Sequence, residues 1–272
     1  MKITVYGLGI IGASVCASLK KAGHTVLGRN RSKAAIEYAL THGYIDGEAK
    51  SFEGADVVVL ALPPRACMDV LDKESLPDGC IVTDICGVKE PIEKVVYSKK
   101  RTYRYVGIHP MAGKETSGIQ SASVDLFQNK NLIMTRHAET DKQAFTTVKQ
   151  LGVDMGFSRT VVCSAAEHDK MIALTSQLAH IVSNAYVKSP LTAECLGFTG
   201  GSFQDMTRIA GVDENVWTEL FFLNTENITA EIKRLCIKLS EYAAALEAGD
   251  EEKMKELFVE GRQSFARFEE KK

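Results

Sequence analysis

Side chains that transfer protons or bind anions follow two apolar runs in the first half of this sequence. Asp84, Gly87 and Lys89 come after the run that begins at Cys80, and His109 ends the next run. An imidazole exchanges protons near neutral pH, and an ammonium group pairs with anions. Because ligands of a parallel sheet bind beyond the carboxyl ends of its strands, these residues are candidates for one shared site.

A second group of polar residues occurs in the segment 164–188, which the sequence predicts to be a long helix. Asp169, Ser176 and His180 are seven and four residues apart, so they fall close to one helical face. Such a face on an otherwise apolar helix favours a cleft over a core. The alternative for His180 is a histidine whose hydrogen bonds are satisfied inside the core.

The first predicted strand leads directly into the pattern G-x-G-x-x-G. Gly7 permits a tight turn, Gly9 lets a phosphate approach the backbone, and Gly12 lets the next helix pack against the strand. Because the N-terminus of that helix presents unpaired N–H groups, the pattern predicts a dinucleotide site. The contacts predicted from this loop are Gly7, Leu8, Gly9, Ile10, Ile11 and Gly12.

The end of the second predicted strand indicates which dinucleotide binds. NAD sites usually have an acidic residue about 20 residues past the glycines. This sequence instead has Arg29, Asn30, Arg31 and Ser32, which together can bind a 2′-phosphate through charge-assisted hydrogen bonds. NADP is therefore expected to be favoured over NAD, with two solvated surface arginines as the alternative. Ser32 is also the predicted N-cap of the second helix.

Apolar runs alternate with helical segments over residues 1–163. This alternation predicts an α/β fold with a Rossmann-type, doubly wound parallel sheet. Residues 104–109 are predicted to form its fifth strand, with His109 at the carboxyl end. The remaining predicted cofactor contacts follow the third and fourth strands and are Leu62, Pro63, Asp84 and Gly87.

From residue 164 the pattern changes to long helices. Apolar residues recur at three- and four-residue spacing over 215–248 and 251–268, whereas 197–211 contains four glycines and is predicted to be a loop. An all-α C-terminal domain is therefore predicted over 164–272. Its apolar faces are wide for packing within one chain, which favours a homodimer, with intrachain packing as the alternative.

Composition excludes several function classes. The 272 residues carry a net charge of −2 without a basic block, so neither nucleic acid nor a membrane surface is an expected partner. No stretch reaches the roughly 18 apolar residues of a membrane span. The seven cysteines include no C-x-x-C pair, which predicts reduced thiols in the cytoplasm and no metal site.

Five stretches occur in a fixed order along the chain. They are the glycine loop and the segments 83–89, 109–118, 168–180 and 200–210. The stretch that begins His109-Pro-Met-Ala-Gly is the most specific, and together the five resemble the prephenate dehydrogenases of tyrosine biosynthesis, a family that includes arogenate dehydrogenases.

The resemblance implies an oxidative decarboxylation. A hydride leaves the ring carbon that bears the hydroxyl group and goes to the nicotinamide, and the ring carboxylate departs as CO2 to give 4-hydroxyphenylpyruvate. His109 is similar to the family's catalytic histidine, which accepts the hydroxyl proton. Arg208 is similar to the arginine that pairs with the side-chain carboxylate. Lys89 is expected to neutralise the ring carboxylate, while Ser176 and His180 face nicotinamide and substrate.

Three further expectations follow from the resemblance. Glu115 orders the polar loop or contacts substrate, and His168 and Asp169 orient other groups. Family members often have a serine where this sequence has Gly87, and that serine helps to hold the substrate hydroxyl. Its hydroxyl contact is therefore missing here, unless water or Ser176 supplies it.

Several alternatives stay open. Prephenate and arogenate differ by a keto and an amino group, and no residue of the sequence distinguishes them. A β-hydroxyacid dehydrogenase or imine reductase has a similar architecture and relies on a helical-domain lysine, for which Lys170 and Lys188 are candidates. A redox-sensing binding module is a non-enzymatic alternative. The sequence includes no segment that resembles an ACT or chorismate mutase domain, so a monofunctional enzyme is expected.

Overall fold

The computed structural model describes residues 1–113, 116 and 118–271. Its strands in chain order are β1 (Lys2–Tyr6), β2 (Thr25–Arg29), β3 (Gly47–Glu48), β4 (Val57–Leu60), β5 (Ile81–Asp84), β6 (Arg104–Tyr105), β7 (Ile108–Pro110), β8 (Asn131–Thr135) and β9 (Arg159–Cys163).

The α-helices alternate with these strands in the first half and follow them in the second. They are α1 (Ile10–Lys21), α2 (Lys33–Thr41), α3 (Pro64–Lys73), α4 (Glu90–Tyr97), α5 (Lys142–Asp154), α6 (Ala165–Ile172), α7 (Ala179–Tyr186), α8 (Gly201–Thr207), α9 (Glu214–Phe222), α10 (Thr225–Ala248) and α11 (Glu251–Glu269). Short 3₁₀ turns occur at Ile119–Ser121 and Pro190–Ala193, and a π-helical segment spans Ala173–Leu178.

The predicted parallel sheet is confirmed. Its strands follow the order β3-β2-β1-β4-β5-β6, and every neighbouring pair is parallel. The chain winds outward in one direction from β1 to β3 and in the other from β4 to β6. Ligands of such sheets bind where the direction changes, beyond the carboxyl ends of β1 and β4.

Both faces of this sheet are buried. Val57 and Val59 of β4 pack into one apolar cluster with α1, whereas Val58 and Leu60 pack into another that includes Cys67 of α3. Because successive strand residues point to opposite faces, the two clusters cover the two sides of the sheet. The continuous apolar run in the sequence is the expected signature of a strand buried on both sides.

The predicted fifth strand is in fact two short strands in different sheets. The Val106 N–H still donates to Val82 O at 3.0 Å, but the O atom of Gly107 accepts from Thr135 N at 2.9 Å. A Cβ at Gly107 would lie 2.6 Å from Thr135 Oγ1, so only glycine allows this close crossing. His109 therefore lies in β7, which pairs antiparallel with β8, and does not end a strand of the parallel sheet.

The helical half differs from prediction in three places. The long helix predicted over 164–188 is α6 and α7 joined by the π-helical segment, and α8 occupies part of the predicted loop 197–211. The helix predicted over 215–248 is interrupted, because α9 ends before Asn224, whose side chain turns inward to bind Asp169 O. At the start of α6, Ser164 accepts from Glu167 N, a capping interaction that fixes where the helix begins.

The chain divides into two compact units, residues 1–224 and 225–272. The first unit contains both sheets and helices α1 to α9. The second is the antiparallel pair α10 and α11, joined through Gly249 at φ 63°. Large apolar side chains stay exposed on this pair, including Leu246, Phe258 and Phe265.

No helix in the described part of the chain is both long and apolar enough to cross a membrane.

Candidate active site

A cavity of about 660 Å³ lies within the first unit. It is bordered by the β7 strand and the loop after it, the π-helical segment, α7, the turn after α8, and α9. Predicted site residues on its wall are Ile10, Gly87, His109, Ser176, His180 and Arg208. The structure thus brings together side chains that are separated by up to two hundred residues in sequence.

His109 is the first member of a hydrogen-bonded series. Its Nδ1 lies 2.9 Å from His168 Nε2, and His168 Nδ1 lies 2.7 Å from Asp169 Oδ1. His168 and Asp169 are both buried behind the cavity wall. The two imidazoles and the carboxylate therefore form a relay that leads from the cavity into the protein.

The relay determines which nitrogen of His109 carries the proton. The carboxylate of Asp169 only accepts, so His168 Nδ1 is the donor to it and His168 Nε2, in the neutral ring, is an acceptor. His109 Nδ1 must then donate to His168. Neutral His109 is consequently left with an unprotonated Nε2, the atom that can take up a proton from a ligand.

The end of the relay is held by the backbone. Asp169 Oδ1 and Oδ2 accept from the N–H groups of Lys89 and Glu90 at 2.8 and 2.9 Å. These groups begin α4, whose positive N-terminal end favours a negative charge. The two backbone donors thereby hold the Asp169 side chain in place as the acceptor at the end of the relay.

Burial lowers the pKa of His109 well below the usual 6.5, and the neighbouring His168 and Lys89 lower it further. The pKa of His168 is also lowered, mainly by burial and against the opposing effect of Asp169. Both imidazoles are therefore neutral at pH 7, and His109 is present in its proton-accepting form.

His180 is oriented from the opposite side of the cavity. Its Nδ1 donates to Ile209 O at 3.0 Å, which leaves Nε2 as an acceptor. Its ring lies 3.9 Å from the Trp217 ring, centroid to centroid. Ser176 and His180 line the cavity, whereas Asp169 of the same predicted face does not, because the wider π-helical turn between them changes the angular spacing.

Lys89 and Asp84 occupy a position that differs from the predicted contacts with substrate and cofactor. Both side chains are fully buried, and Lys89 Nζ lies 2.6 Å from Asp84 Oδ1. Asp84 Oδ2 accepts from Tyr105, and Asp84 Oδ1 also accepts from Cys86 N at 2.8 Å. The ammonium group is thus already paired behind the wall, and it acts on His109 through its field.

Gly87 faces His109 directly. A Cβ at this position would lie 3.8 Å from His109 Nε2 and 3.5 Å from Leu220 Cδ2, which are ordinary van der Waals distances. The Cβ of a serine would therefore fit without displacing its neighbours. Glycine in place of the family's serine therefore leaves an open space beside His109 Nε2, and the backbone there is not displaced.

The glycine loop has the features of a phosphate-binding turn. Gly7 has φ 102°, and a Cβ on it would lie 2.1 Å from Ala61 O, whereas a Cβ on Gly12 would lie 1.9 Å from Gly7 O. Nothing lies within 4 Å of the corresponding point on Gly9. As the N-cap of α1, Gly9 provides no side-chain hydrogen bond. The open space and the uncapped helix end suit a pyrophosphate.

Four other residues predicted to contact the cofactor lie in or near this turn. Leu8 is buried, and its N–H donates to Asn30 Oδ1 at 3.1 Å. The Leu62 side chain packs beside Gly7. Pro63 is exposed at the start of α3, and Ile11 is half-buried on α1.

The arginine that ends β2 and the arginine two residues later are placed differently. Arg29 Nη1 pairs with Glu74 Oε2 at 2.7 Å, and its guanidinium stacks on Tyr6 at 4.5 Å. Arg31 is exposed. Ser32 caps α2 by accepting from Ala35 N, as predicted.

Glu115, the remaining predicted site residue, lies outside the described residues. In the described chain, no group of three or more His, Cys, Asp or Glu side chains is arranged to hold a metal ion.

Three residues at the site were not assigned from the sequence. Trp217 has the spacing of a packing residue, but it lines the cavity against His180. Gln177 lies on the cavity wall, and Asn224 joins it to Asp169. The available signals were that Trp217 is the sole tryptophan and that Gln177 lies inside a motif of the resembled family.

Comparison with known proteins identifies the family. Residues 15–159 match the model of the prephenate dehydrogenase nucleotide-binding domain, and residues 164–260 match the model of the prephenate dehydrogenase dimerization domain. The chain belongs to the prephenate dehydrogenase family. It is therefore an oxidoreductase, and the hydroxyacid dehydrogenase, imine reductase and non-enzymatic alternatives no longer apply.

Individual relatives agree with this assignment. The chain is 28% identical to a prephenate dehydrogenase of Lactococcus lactis, over 96% of this chain and 75% of that protein. It is 32% identical to a prephenate dehydrogenase of Bacillus subtilis, over 83% of this chain and 65% of that protein. It thus spans only part of the length of both relatives.

The fold has solved counterparts in the same family. A prephenate dehydrogenase from A. aeolicus, crystallised with hydroxyphenyl propionate and NAD+, superposes with a TM-score of 0.86 at 27% identity. The match covers 98% of each chain. The predicted order of a nucleotide-binding domain followed by a helical region is thereby confirmed.

Proposed function

We propose that this protein is a prephenate dehydrogenase, which converts prephenate to 4-hydroxyphenylpyruvate and CO2 with transfer of a hydride to a nicotinamide cofactor. The observation that carries the proposal is the His109–His168–Asp169 relay, which leaves Nε2 of His109 unprotonated, in a cavity that also contains Arg208. A base and a cation on one cavity wall suit a substrate that carries a hydroxyl group and carboxylates.

His109 acts as the general base in this proposal. Its Nε2 accepts the proton of the ring hydroxyl as the hydride leaves the same carbon. His109 then becomes positively charged, while its Nδ1 still donates to His168 and the Asp169 carboxylate lies at the end of the relay. The bond between the ring and its carboxylate breaks, CO2 leaves, and the electron pair of that bond completes the aromatic ring.

The cofactor is held by the glycine loop and the N-terminus of α1. When bound, the nicotinamide supplies the acceptor for the hydride. We favour NADP over NAD, because the position after β2 has no acidic residue and Arg31 is exposed there. Arg29 has a supporting role, since its guanidinium already pairs with Glu74 and stacks on Tyr6.

Residues 1–163 form the nucleotide-binding domain in this proposal, and residues 164–272 bind substrate and associate into a homodimer. Apolar side chains exposed on α10 and α11, such as Leu246 and Phe265, support self-association. Light scattering coupled to size-exclusion chromatography measures the mass of the assembly, for which twice the chain mass of 29.8 kDa is expected.

A steady-state assay of prephenate and arogenate, each with NAD and NADP, tests the proposed activity. The highest kcat/KM is expected for prephenate with NADP. Arogenate dehydrogenase is the second candidate, since Arg208 binds the side-chain carboxylate that both compounds share. Absence of turnover in all four combinations contradicts the proposal.

Replacing Arg208 with Ala is expected to raise the KM for prephenate by an amount equivalent to about 2–5 kcal/mol, because the substrate carboxylate loses its cationic partner. The cofactor affinity stays unchanged. Arg159→Ala, at an exposed position of β9, is the matched control and leaves KM unaltered. A fall in kcat at constant KM would place Arg208 outside substrate binding.

Arg31→Ala is expected to weaken NADP binding by about tenfold, the lower range for a charge-assisted contact. NAD binding stays unchanged, because NAD lacks the 2′-phosphate. Fluorescence titration with each cofactor measures both affinities. Arg29→Ala is the comparison, and it lowers both affinities together because it removes a packing contact with Tyr6. Equal losses for the two cofactors in Arg31→Ala contradict the NADP preference.

A further inference from the structure

The amide group of Gln177 has an unusual environment. The residue lies in the π-helical segment, is 1% exposed and contributes to the cavity wall. Within the described residues, its Nε2 and Thr83 Oγ1 are the two buried side-chain atoms without a hydrogen-bond partner. Buried polar groups are nearly always paired, so we expect this nitrogen to donate a hydrogen bond to a bound ligand.

The orientation of the Gln177 amide is fixed by its neighbours. Asn224 Nδ2 lies 2.8 Å from the main-chain O of Asp169, which can only accept, so this atom of Asn224 is the nitrogen. The same Nδ2 lies 2.7 Å from Gln177 Oε1. Gln177 therefore directs its oxygen to Asn224, and its two N–H donors point elsewhere.

Gln177 lies between the His109 relay and the part of the cavity wall formed by Ser176 and His180. Through Asn224 it is joined to Asp169, the last member of the His109 relay. It is adjacent to Ser176 and three residues before His180, and both of these line the same cavity. Gln177 is thus part of the same wall as the groups that surround the substrate in the proposed function.

We propose that Gln177 is a substrate-recognition residue, whose amide N–H groups donate to an oxygen atom of the bound substrate. The inference rests on the proposed function, in which the ligand of this cavity carries carboxylate, keto and hydroxyl oxygens. Because the oxygen of the Gln177 amide already accepts from Asn224, the amide can offer a ligand only its N–H donors. It therefore selects a ligand atom that accepts a hydrogen bond. A carboxamide oxygen of the nicotinamide offers the same chemistry, and the test distinguishes the two.

The variant Gln177→Glu tests the inference with the least change in shape. Glutamate keeps an oxygen that accepts from Asn224, but it replaces the N–H donors with a second oxygen. The KM for prephenate is expected to rise about 10- to 100-fold, the range for a lost hydrogen bond to a charged group. The Kd of the cofactor stays within experimental error of that of the unaltered protein, and Tm reports the cost of the buried carboxylate.

Two further variants complete the experiment. Gln177→Leu removes the donors without adding charge and is expected to raise KM as well, so the inference stays testable if the glutamate variant fails to fold. Gln150→Glu makes the same exchange on the surface of α5, where Gln150 bonds Asp154, and leaves KM unaltered.

The outcomes separate the inference from the proposed function. If the unaltered protein turns over prephenate and Gln177→Glu keeps its KM, the inference is overturned while the function stands. A weaker cofactor Kd at unchanged KM assigns the donors to the nicotinamide and also overturns it. If the unaltered protein turns over neither prephenate nor arogenate, the proposed function itself fails.

Discussion

Replacing His109 with Asn is expected to lower kcat by about 10²- to 10⁴-fold, the usual contribution of a general base. The asparagine amide can still donate to His168, so the relay keeps its hydrogen bond, but no atom remains that takes up a proton from the substrate hydroxyl. Cofactor binding is unaffected, because the glycine loop that carries it is formed by β1 and α1.

His42→Asn is the matched control for this substitution. His42 stacks on Tyr38 at 3.8 Å and is exposed just after the end of α2, away from the cavity. Its replacement is expected to leave kcat unchanged. Single-turnover measurement of cofactor reduction reports the chemical step directly. An unaltered rate in His109→Asn removes this residue from proton transfer.

The pH dependence of kcat/KM provides a second measurement on His109. The protonated ring cannot act as a base, and burial holds the pKa of His109 well below 6.5. Activity is therefore expected to stay constant as the pH falls from 7 through 6.5 and to decline only below that range. An acidic limb centred at 6.5 would show a solvated histidine in place of a buried one.

The nucleotide-binding half was predictable because its information is local. The spacing of Gly7, Gly9 and Gly12 encodes a turn within six residues, and the run at 56–62 encodes a strand buried on both sides. Both patterns follow from the geometry of one segment and its immediate neighbours. The parallel strand order then follows from the alternation of strands and helices.

The relay was not predictable to the same degree, because it depends on contacts between distant segments. His109 and His168 are 59 residues apart, and Lys89 N donates to a carboxylate 80 residues away. Sequence placed His168 and Asp169 in an orienting role, but it did not show which group they orient. His109 lies in β7 and His168 in α6, so that pairing exists only once these two elements come together.

Charged residues were the least predictable, since their partners decide whether they are available to a ligand. Lys89 follows an apolar strand and has the position of a substrate contact, yet Asp84 five residues earlier pairs with it in the interior. Arg29 is similarly held by Glu74, 45 residues away. A sequence pattern records the charge of such residues but not its compensation.

Asp169→Asn is expected to lower kcat by at least about 10²-fold, although Asp169 does not touch the cavity. The comparable change behind the histidine of a Ser-His-Asp site costs about 10⁴ by imposing the wrong tautomer. Here an amide nitrogen facing His168 Nδ1 turns that atom into an acceptor. The proton of His168 is then on Nε2, which donates a hydrogen bond to His109 Nδ1. The proton of His109 is therefore on Nε2, and this atom no longer acts as a base.

The alternative orientation of the new amide does not restore activity without a cost. If its oxygen faces His168, its nitrogen meets the Glu90 N–H. If its nitrogen faces His168, that nitrogen meets the Lys89 N–H instead, so two donors oppose each other at the start of α4 in either orientation. This arrangement is expected to lower the free energy of unfolding by about 1–3 kcal/mol, the cost of an unsatisfied buried group. Tm reports this cost, and kcat identifies which orientation is adopted, since only the nitrogen facing His168 imposes the inactive tautomer.

The control for Asp169 is Asp154→Asn, which breaks an aspartate–histidine pair outside the cavity, at 3.0 Å from His24. It is expected to leave kcat unchanged. Cofactor Kd and prephenate KM are expected to stay close to those of the unaltered protein in both variants, because neither residue contacts a ligand. If Asp169→Asn retains full kcat without a fall in Tm, His109 acquires its reactive tautomer without the relay, and the role assigned to His168 and Asp169 is wrong.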